Sequence, residues 1–306
     1  MNTTAHWDDA PSARFDVGPM GADWDLLGAA AGCDAVGLRR IRVSPGKQST
    51  PVHAHFGEEE IFVVLAGDGV SWQEDGVFAI GAGDAVLYRA GGPAHTVVAG
   101  DDGIDLLAFG TNLRSESVRF PRIGAQWIGG QVLEATGLHQ FQLEAERAGA
   151  VEVPDTLDPR PETIVALDAV DAVEFRRGPA AARARFVGRR LGARASALNL
   201  AEIEPGAEAA APHCHSAVEE LFVVLGGAGT LLLGDDEHPV REGTLVSRPP
   251  GTGVAHAFRG GDEGLRLLMY SDLDPNDMCL YPRSGKVLIR GLGLVFRPEP
   301  VPYWDE

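Results

Sequence analysis

Two histidines one residue apart, followed by glutamates and an apolar run, occur twice in this chain. The stretches are "PVHAHFGEEEIFVVLAG" from Pro51 to Gly67 and "APHCHSAVEELFVVLGG" from Ala211 to Gly227. Side chains alternate faces along an extended strand, so His53 and His55 project to one side, as do His213 and His215. Paired imidazoles serve an apolar core poorly, but neutral imidazole nitrogen is a good donor to a divalent metal. A following glutamate adds a charged oxygen donor. Glycine-rich turns, "GDAVLYRAGGPAH" (Gly83–His95) and "GTLVSRPPGTGVAH" (Gly243–His256), then deliver a third histidine to each copy. Two candidate metal-ligand sets result: His53, His55, Glu60 and His95, and His213, His215, Glu220 and His256. Three imidazoles and one carboxylate leave a divalent ion with net positive charge. An octahedral ion so held keeps open positions, which permit Lewis-acid or oxygen-activating chemistry. Zinc would support only the Lewis-acid branch.

The elements that position these side chains come from an internal repeat. His213 follows His53 by 160 residues, and the same offset relates His55 to His215, Glu60 to Glu220, Gly67 to Gly227, and Asp8 to Asp168. After one inserted residue the offset becomes 161, relating His95 to His256 and Phe120 to Tyr281. Such persistence marks a duplicated fold. The 39 glycines and 20 prolines supply many tight turns, and strand-like runs (Ile61–Leu65, Leu221–Leu225, Gly229–Leu233) outnumber helices. The best helical candidate is Leu138–Ala148. The reading is therefore all-β, with domains at 1–150 and 163–306 and an acidic, proline-bearing linker at 151–162.

A formal net charge of −18 disfavours nucleic acid and anionic membranes as partners. The first thirty residues lack a secretory signal pattern, and no apolar run approaches the ~20 residues that span a bilayer. The three cysteines match no CxxC site and form no disulfide framework, which suits a cytoplasmic setting. Cys214, between two same-face histidines, is expected to face away from a bound metal. His6, His139 and His238 are expected at the surface. Arg40, Arg42 and Arg89 are candidate binders of a substrate carboxylate. Phe62, Val64, Phe222 and Val224 share the glutamate's strand face and are expected to line an apolar interior.

Gly46, His53-x-His55, Glu60 and Gly67 resemble the first motif of the cupin family, and Gly83 through His95 resembles the second. The second half repeats both, so the resemblance to bicupins covers nearly the whole chain. It implies two tandem cupin domains, each a jelly-roll-like antiparallel β-barrel with a three-histidine, one-glutamate metal centre in its lumen. Glu60 and Glu220 keep the family's spacing to the closing glycine. Glu59 and Glu219 also align and are the alternative ligands, whereas Glu58 has Val218 opposite it in the repeat. Departures from the family are a longer turn before the last histidine, Arg89 where proline is usual, and Ala99 and Gly260 in place of the customary asparagine. The resemblance implies one divalent ion (Fe, Mn, Ni, Cu or Zn) per domain and a small-molecule substrate or ligand. By the same resemblance the activity is that of a metal-dependent oxidoreductase, of dioxygenase type on an aromatic or enolisable compound, with Glu60 or Glu220 taking a proton. It extends also to non-catalytic ligand-binding members, to decarboxylases and sugar isomerases, and is compatible with a homodimer.

Overall fold

The computed structural model describes residues 4–128, 131–133, 138–299, 301–302 and 304. Each half is built on a large antiparallel sheet. In the N-terminal half the neighbours run Asp84–Tyr88, Glu60–Gln73, His95–Thr111, Val36–Val43, Met20–Asp25 and Ser12–Val17. The C-terminal half repeats that order with Thr244–Arg248, Glu220–Leu233, His256–Asp272, Ser196–Ile203, Ala180–Arg185 and Ala172–Arg177. A smaller sheet faces each: Ala54–His55 joins Ser117–Phe120, and Cys214–His215 joins Met278–Tyr281. All three strand-like runs read from the sequence lie within these strands. The expected helix is present as Gln140–Arg147, with His139 and Gln142 forming a reciprocal N-terminal cap. Among the described residues no helix is long and apolar enough to cross a membrane.

Alternation along the central strands sorts two interiors. Phe62, Val64, Val86, Leu106 and Ile41 fill the lumen of the N-terminal barrel; Phe222, Val224, Val246, Leu267 and Phe258 fill the other. Residues one step along, including Ile61, Val63, Leu107, Leu221, Val223 and Leu268, form a shared core where the two large sheets meet. Short helices Leu27–Ala31 and Val187–Leu191 pack into that core. The lumen placement of Phe62, Val64, Phe222 and Val224 matches the alternation read from the sequence.

The motif's closing glycines have a local reason. Gly67 and Gly227 sit at φ +76°, at bulges of the long strands, and a Cβ there would lie 2.2 Å from the Gly103 carbonyl oxygen or 2.4 Å from that of Gly264. Only glycine meets both conditions without strain.

The halves are interlocked. Thr4–His6 pairs with Thr244–Arg248 of the C-terminal sheet, and Ile164–Ala166 pairs with Asp84–Tyr88 of the N-terminal sheet. Each half's opening strand thus completes the other half's sheet edge. The 151–162 segment is tied to the N-terminal half, through Val151 N–H to Gln48 and through Asp158 and Val77, which exchange two hydrogen bonds. Carboxylates reinforce the junction reciprocally. Glu59 accepts from the N–H groups of Arg194, Ala195 and Ser196 at 3.0–3.2 Å and from the Ser196 hydroxyl at 2.7 Å. Glu219 accepts from Asp34, Ala35 and Val36 N–H at 3.1, 2.6 and 3.0 Å. Both carboxylates are buried.

Candidate metal centres

Strand pairing assembles the two sets. An isolated bridge places His53 opposite His95, and another places His213 opposite His256. Ring centroids of His53 lie 5.1 Å from His55 and 4.7 Å from His95; the C-terminal equivalents are 5.3 and 4.8 Å. His53 Nδ1 donates to the Pro51 carbonyl and His213 Nδ1 to that of Ala211, both at 2.9 Å, which leaves each Nε2 as a lone-pair donor. Glu60 Oε2 lies 3.3 Å from His55 Nε2 and 3.2 Å from His95 Nε2. Glu220 Oε2 lies 3.4 Å from His215 Nε2 and 3.0 Å from His256 Nε2. The structure therefore brings together all eight residues read from the sequence, four in each barrel.

The alternative ligands are corrected. Glu59 and Glu219 point the other way, into the junction between halves, because consecutive strand residues face opposite sides.

Electrostatics shows what the sets lack. Burial, helped by His95 and His55, pushes His53 down to about 3, and burial with His256 pushes His213 down to about 4, so both imidazoles are neutral. Burial opposes charge on His55, yet Glu60, Glu58 and Glu116 hold it up at about 9. Burial likewise opposes the Glu60 charge, but His55 and His95 outweigh it and keep the carboxyl well below its ordinary range. Glu220 falls to about 2, burial again outweighed, here by His256, His215 and His213. Each lumen thus holds a buried carboxylate that demands a positive partner, a role that protonated His55 fills for Glu60 where no ion is bound. In the C-terminal set, His256 Nε2 and Glu220 Oε2 face one another without the alignment of a hydrogen bond, and both are buried and unpartnered among the described residues. Orphaned donors of these types fit a divalent ion, and all four residues of each set could hold it.

Other residues around the sets escaped the sequence reading. Glu116 accepts from the N–H groups of Phe56, Gly57 and Glu58, with an oxygen 3.6 Å from His55 Nδ1; Glu58 lies 3.7 Å from the same nitrogen. Asp277, the counterpart of Glu116, accepts directly from His215 Nδ1 at 2.7 Å. Tyr88 stacks on His95 with centroids 3.7 Å apart, while buried Arg248 holds its place opposite Glu220 in the other half. Cys214 is buried and outside the donor clusters among the described residues, whereas Cys279 lies with His213 and His215. Of the remaining histidines, His139 is exposed; His6 is half-buried on the exchanged strand, its Nε2 at the Glu242 carbonyl; and His238 is half-buried on a hairpin.

The candidate arginines are engaged with other protein groups. Arg40 is held by Asp105 at 2.7 Å and stands over the Trp7 ring, Arg42 is bidentate to Asp25, and Arg89 donates to the Leu191 carbonyl. The arginine that faces the N-terminal cavity is Arg39, one step along the same strand. That cavity, about 320 Å³, is lined by His53, His55, Glu58 and Glu60 together with aromatic Trp24, Phe120, Trp127 and Phe141.

The sequence matches the cupin domain family over residues 39–109 and again over 199–270, each span holding one four-residue set. The chain is a bicupin. In fold the bicupin is similar to oxalate decarboxylase from Bacillus subtilis, solved at pH 4.6, with 16% identity over 88% of this chain and 75% of that one, at a TM-score of 0.58. A second structure of that enzyme, described with the EPR fine structure of its Mn(II) centres, aligns over 88% and 76% of the two chains at 16% identity and a TM-score of 0.56. The bicupin's sequence has no match among curated proteins.

Proposed function

We propose that this bicupin is a metal-dependent enzyme whose reaction takes place in the N-terminal barrel, on a small organic carboxylate with an apolar, aromatic-sized body. The observation that carries this reading is the N-terminal cavity, which reaches three residues of its set and also presents one arginine and several aromatic rings. The large cleft of the C-terminal half, about 850 Å³, is lined by Phe175, Phe186, Met269, Tyr281 and several alanines, with no member of its set among the described lining residues.

Each cavity residue has a definite role in this reading. Arg39 makes no hydrogen bond or ion pair among the described residues, and its guanidinium lies 5.5 Å over the Trp24 ring. Its fork grips a carboxylate, while the Trp24, Phe120 and Phe141 rings exclude water and take the apolar body. The Tyr88 stack fixes the His95 ring, and Tyr88 is itself held at its hydroxyl by Ser71 at 2.9 Å. Glu60 takes a substrate proton at Oε2, the atom shared with His55 and His95. A divalent ion held by His53, His55, Glu60 and His95 would supply Lewis acidity and, if redox-active, the ability to activate dioxygen. The leading reaction is of dioxygenase type, in which both atoms of O2 enter the product and no external reductant is needed.

A second reading, a metal-dependent decarboxylase or isomerase, is favoured by Glu58. This extra cavity carboxylate has only Val218 as its counterpart, and in this reading it delivers a proton to a carbanionic carbon. Oxygen uptake, measured beside CO2 release on a panel of phenolic and enolisable carboxylates with Fe(II), Mn(II) or Ni(II), separates the two. No turnover with any metal would leave a non-catalytic binder. Arg39→Met is expected to raise KM for carboxylate substrates about 10- to 100-fold, the equivalent of losing a hydrogen bond to a charged group. It should leave neutral ester analogues little changed; equal effects on both would remove Arg39 from substrate binding.

A further inference from the structure

The two centres differ at the residue across the ladder from the second histidine. His55 is paired with Val118, whereas His215 is paired with Cys279. Directly opposed residues on antiparallel strands project to the same face, so the Cys279 thiol stands beside the His215 ring. His213, His215 and Cys279 offer donor atoms that all lie within 4.8 Å of one another, and Cys279 is 1% exposed. The convergence is independent of the thiol as well: His213 also meets Glu220 and His256, where His256 Nε2 is buried and unpartnered among the described residues.

The C-terminal donors are also the more firmly oriented. His215 Nδ1 donates to Asp277, which is held by the N–H groups of Ser216 and Ala217 at 3.1 Å and by Arg290 Nε at 3.3 Å. This fixes the ring with Nε2 toward Glu220, the arrangement by which a carboxylate behind a histidine orients a metal ligand. In the N-terminal half His55 Nδ1 has no hydrogen-bond partner among the described residues, and oxygen donors, Glu58 and Glu116, surround it instead.

We propose that Cys279 is a metal donor of the C-terminal centre, binding as a thiolate beside His213 and His215. The thiol proton leaves to solvent as the metal–sulfur bond forms. The C-terminal half then carries a nitrogen–sulfur site suited to a borderline divalent ion such as zinc, while the N-terminal half keeps a nitrogen–oxygen site. The buried Arg248 opposite Glu220 favours a second anionic donor on this side. This assignment concerns the C-terminal half and stands apart from the reaction proposed for the other.

Cobalt(II) titration of the metal-free, full-length protein under anaerobic conditions tests it. A near-ultraviolet thiolate-to-cobalt charge-transfer band should grow and saturate by two equivalents of cobalt per chain, with the intensity of a single thiolate–cobalt centre. Cys279→Val, which installs the residue of the other half, should abolish the band, and Cys214→Ala should retain it. Full cobalt binding without the band, or a band that survives Cys279→Val, overturns the proposal. If Cys279→Val does not fold, X-ray absorption of the zinc-loaded wild type decides: a sulfur neighbour at about 2.3 Å supports the assignment, and a purely nitrogen–oxygen shell overturns it.

Discussion

Alanine at both His53 and His55 is expected to lower kcat by at least about a thousandfold, because a metal centre contributes several kcal/mol to transition-state stabilisation. The matching pair of changes at His213 and His215 should act differently. Its main effect is a lower melting temperature, since a bound ion that stabilises only the folded state adds about 4 kcal/mol when present at a thousand times its Kd. The asymmetry rests on access. The N-terminal cavity opens onto His53, His55 and Glu60, whereas the C-terminal cleft is bounded by Phe175, Phe186 and Tyr281 short of its set. Steady-state kinetics and thermal unfolding of the two double variants check this together. Equal loss of turnover, or the greater loss in the C-terminal variant, would move the reaction out of the N-terminal barrel.

The second large effect is at the junction between halves. Glu59→Leu should destabilise the metal-free protein by about 3–5 kcal/mol, the range for breaking one side of a buried, charged network. The change strands the N–H groups of Arg194, Ala195 and Ser196 in a buried setting, where each unsatisfied donor costs about 1–3 kcal/mol before relaxation. A domain's whole stability is about 5–15 kcal/mol, so expression of a folded chain is itself at risk. Glu59→Gln keeps the shape and one acceptor oxygen and should cost about half as much. Denaturant unfolding without metal separates this effect from ligand binding. A Gln variant within about 0.5 kcal/mol of wild type would mean that the carboxylate charge contributes little to holding the halves together.

The two convergent candidate sets were legible in the sequence because their signals are local. A period of two puts paired histidines on one face, and an offset of 160 checks each residue against a second copy. The choice of Glu60 over Glu59 rested on spacing to the closing glycine; in three dimensions it reflects strand alternation, which sends Glu59 into the junction. The rest of each site is set by strand register, which local pattern does not encode. Asp277, Glu116 and Cys279 reach the centres from later strands, and nothing near His215 in sequence announces Cys279 as its partner. Arg39 does not stand out from Arg40 and Arg42 in the sequence because the Val36–Val43 strand is buried on both faces. Leu38 looks to the shared core and Ile41 to the lumen, so apolar alternation could not tell which arginines face the cavity. The exchange of Thr4–His6 and Ile164–Ala166 between sheets was equally hidden, since edge pairing across the duplication leaves no mark in a three-residue strand.

Two metal centres of unequal role, with the reactive one in the N-terminal barrel, are tested most directly by elemental analysis of metal bound per chain in the wild type and in the two histidine double variants. The account predicts two divalent ions per chain in the wild type and one in each variant, with the redox-active ion lost together with turnover when His53 and His55 are replaced. A folded chain that turns over substrate with no bound divalent ion, or that keeps its full metal content after both N-terminal histidines are removed, would contradict it.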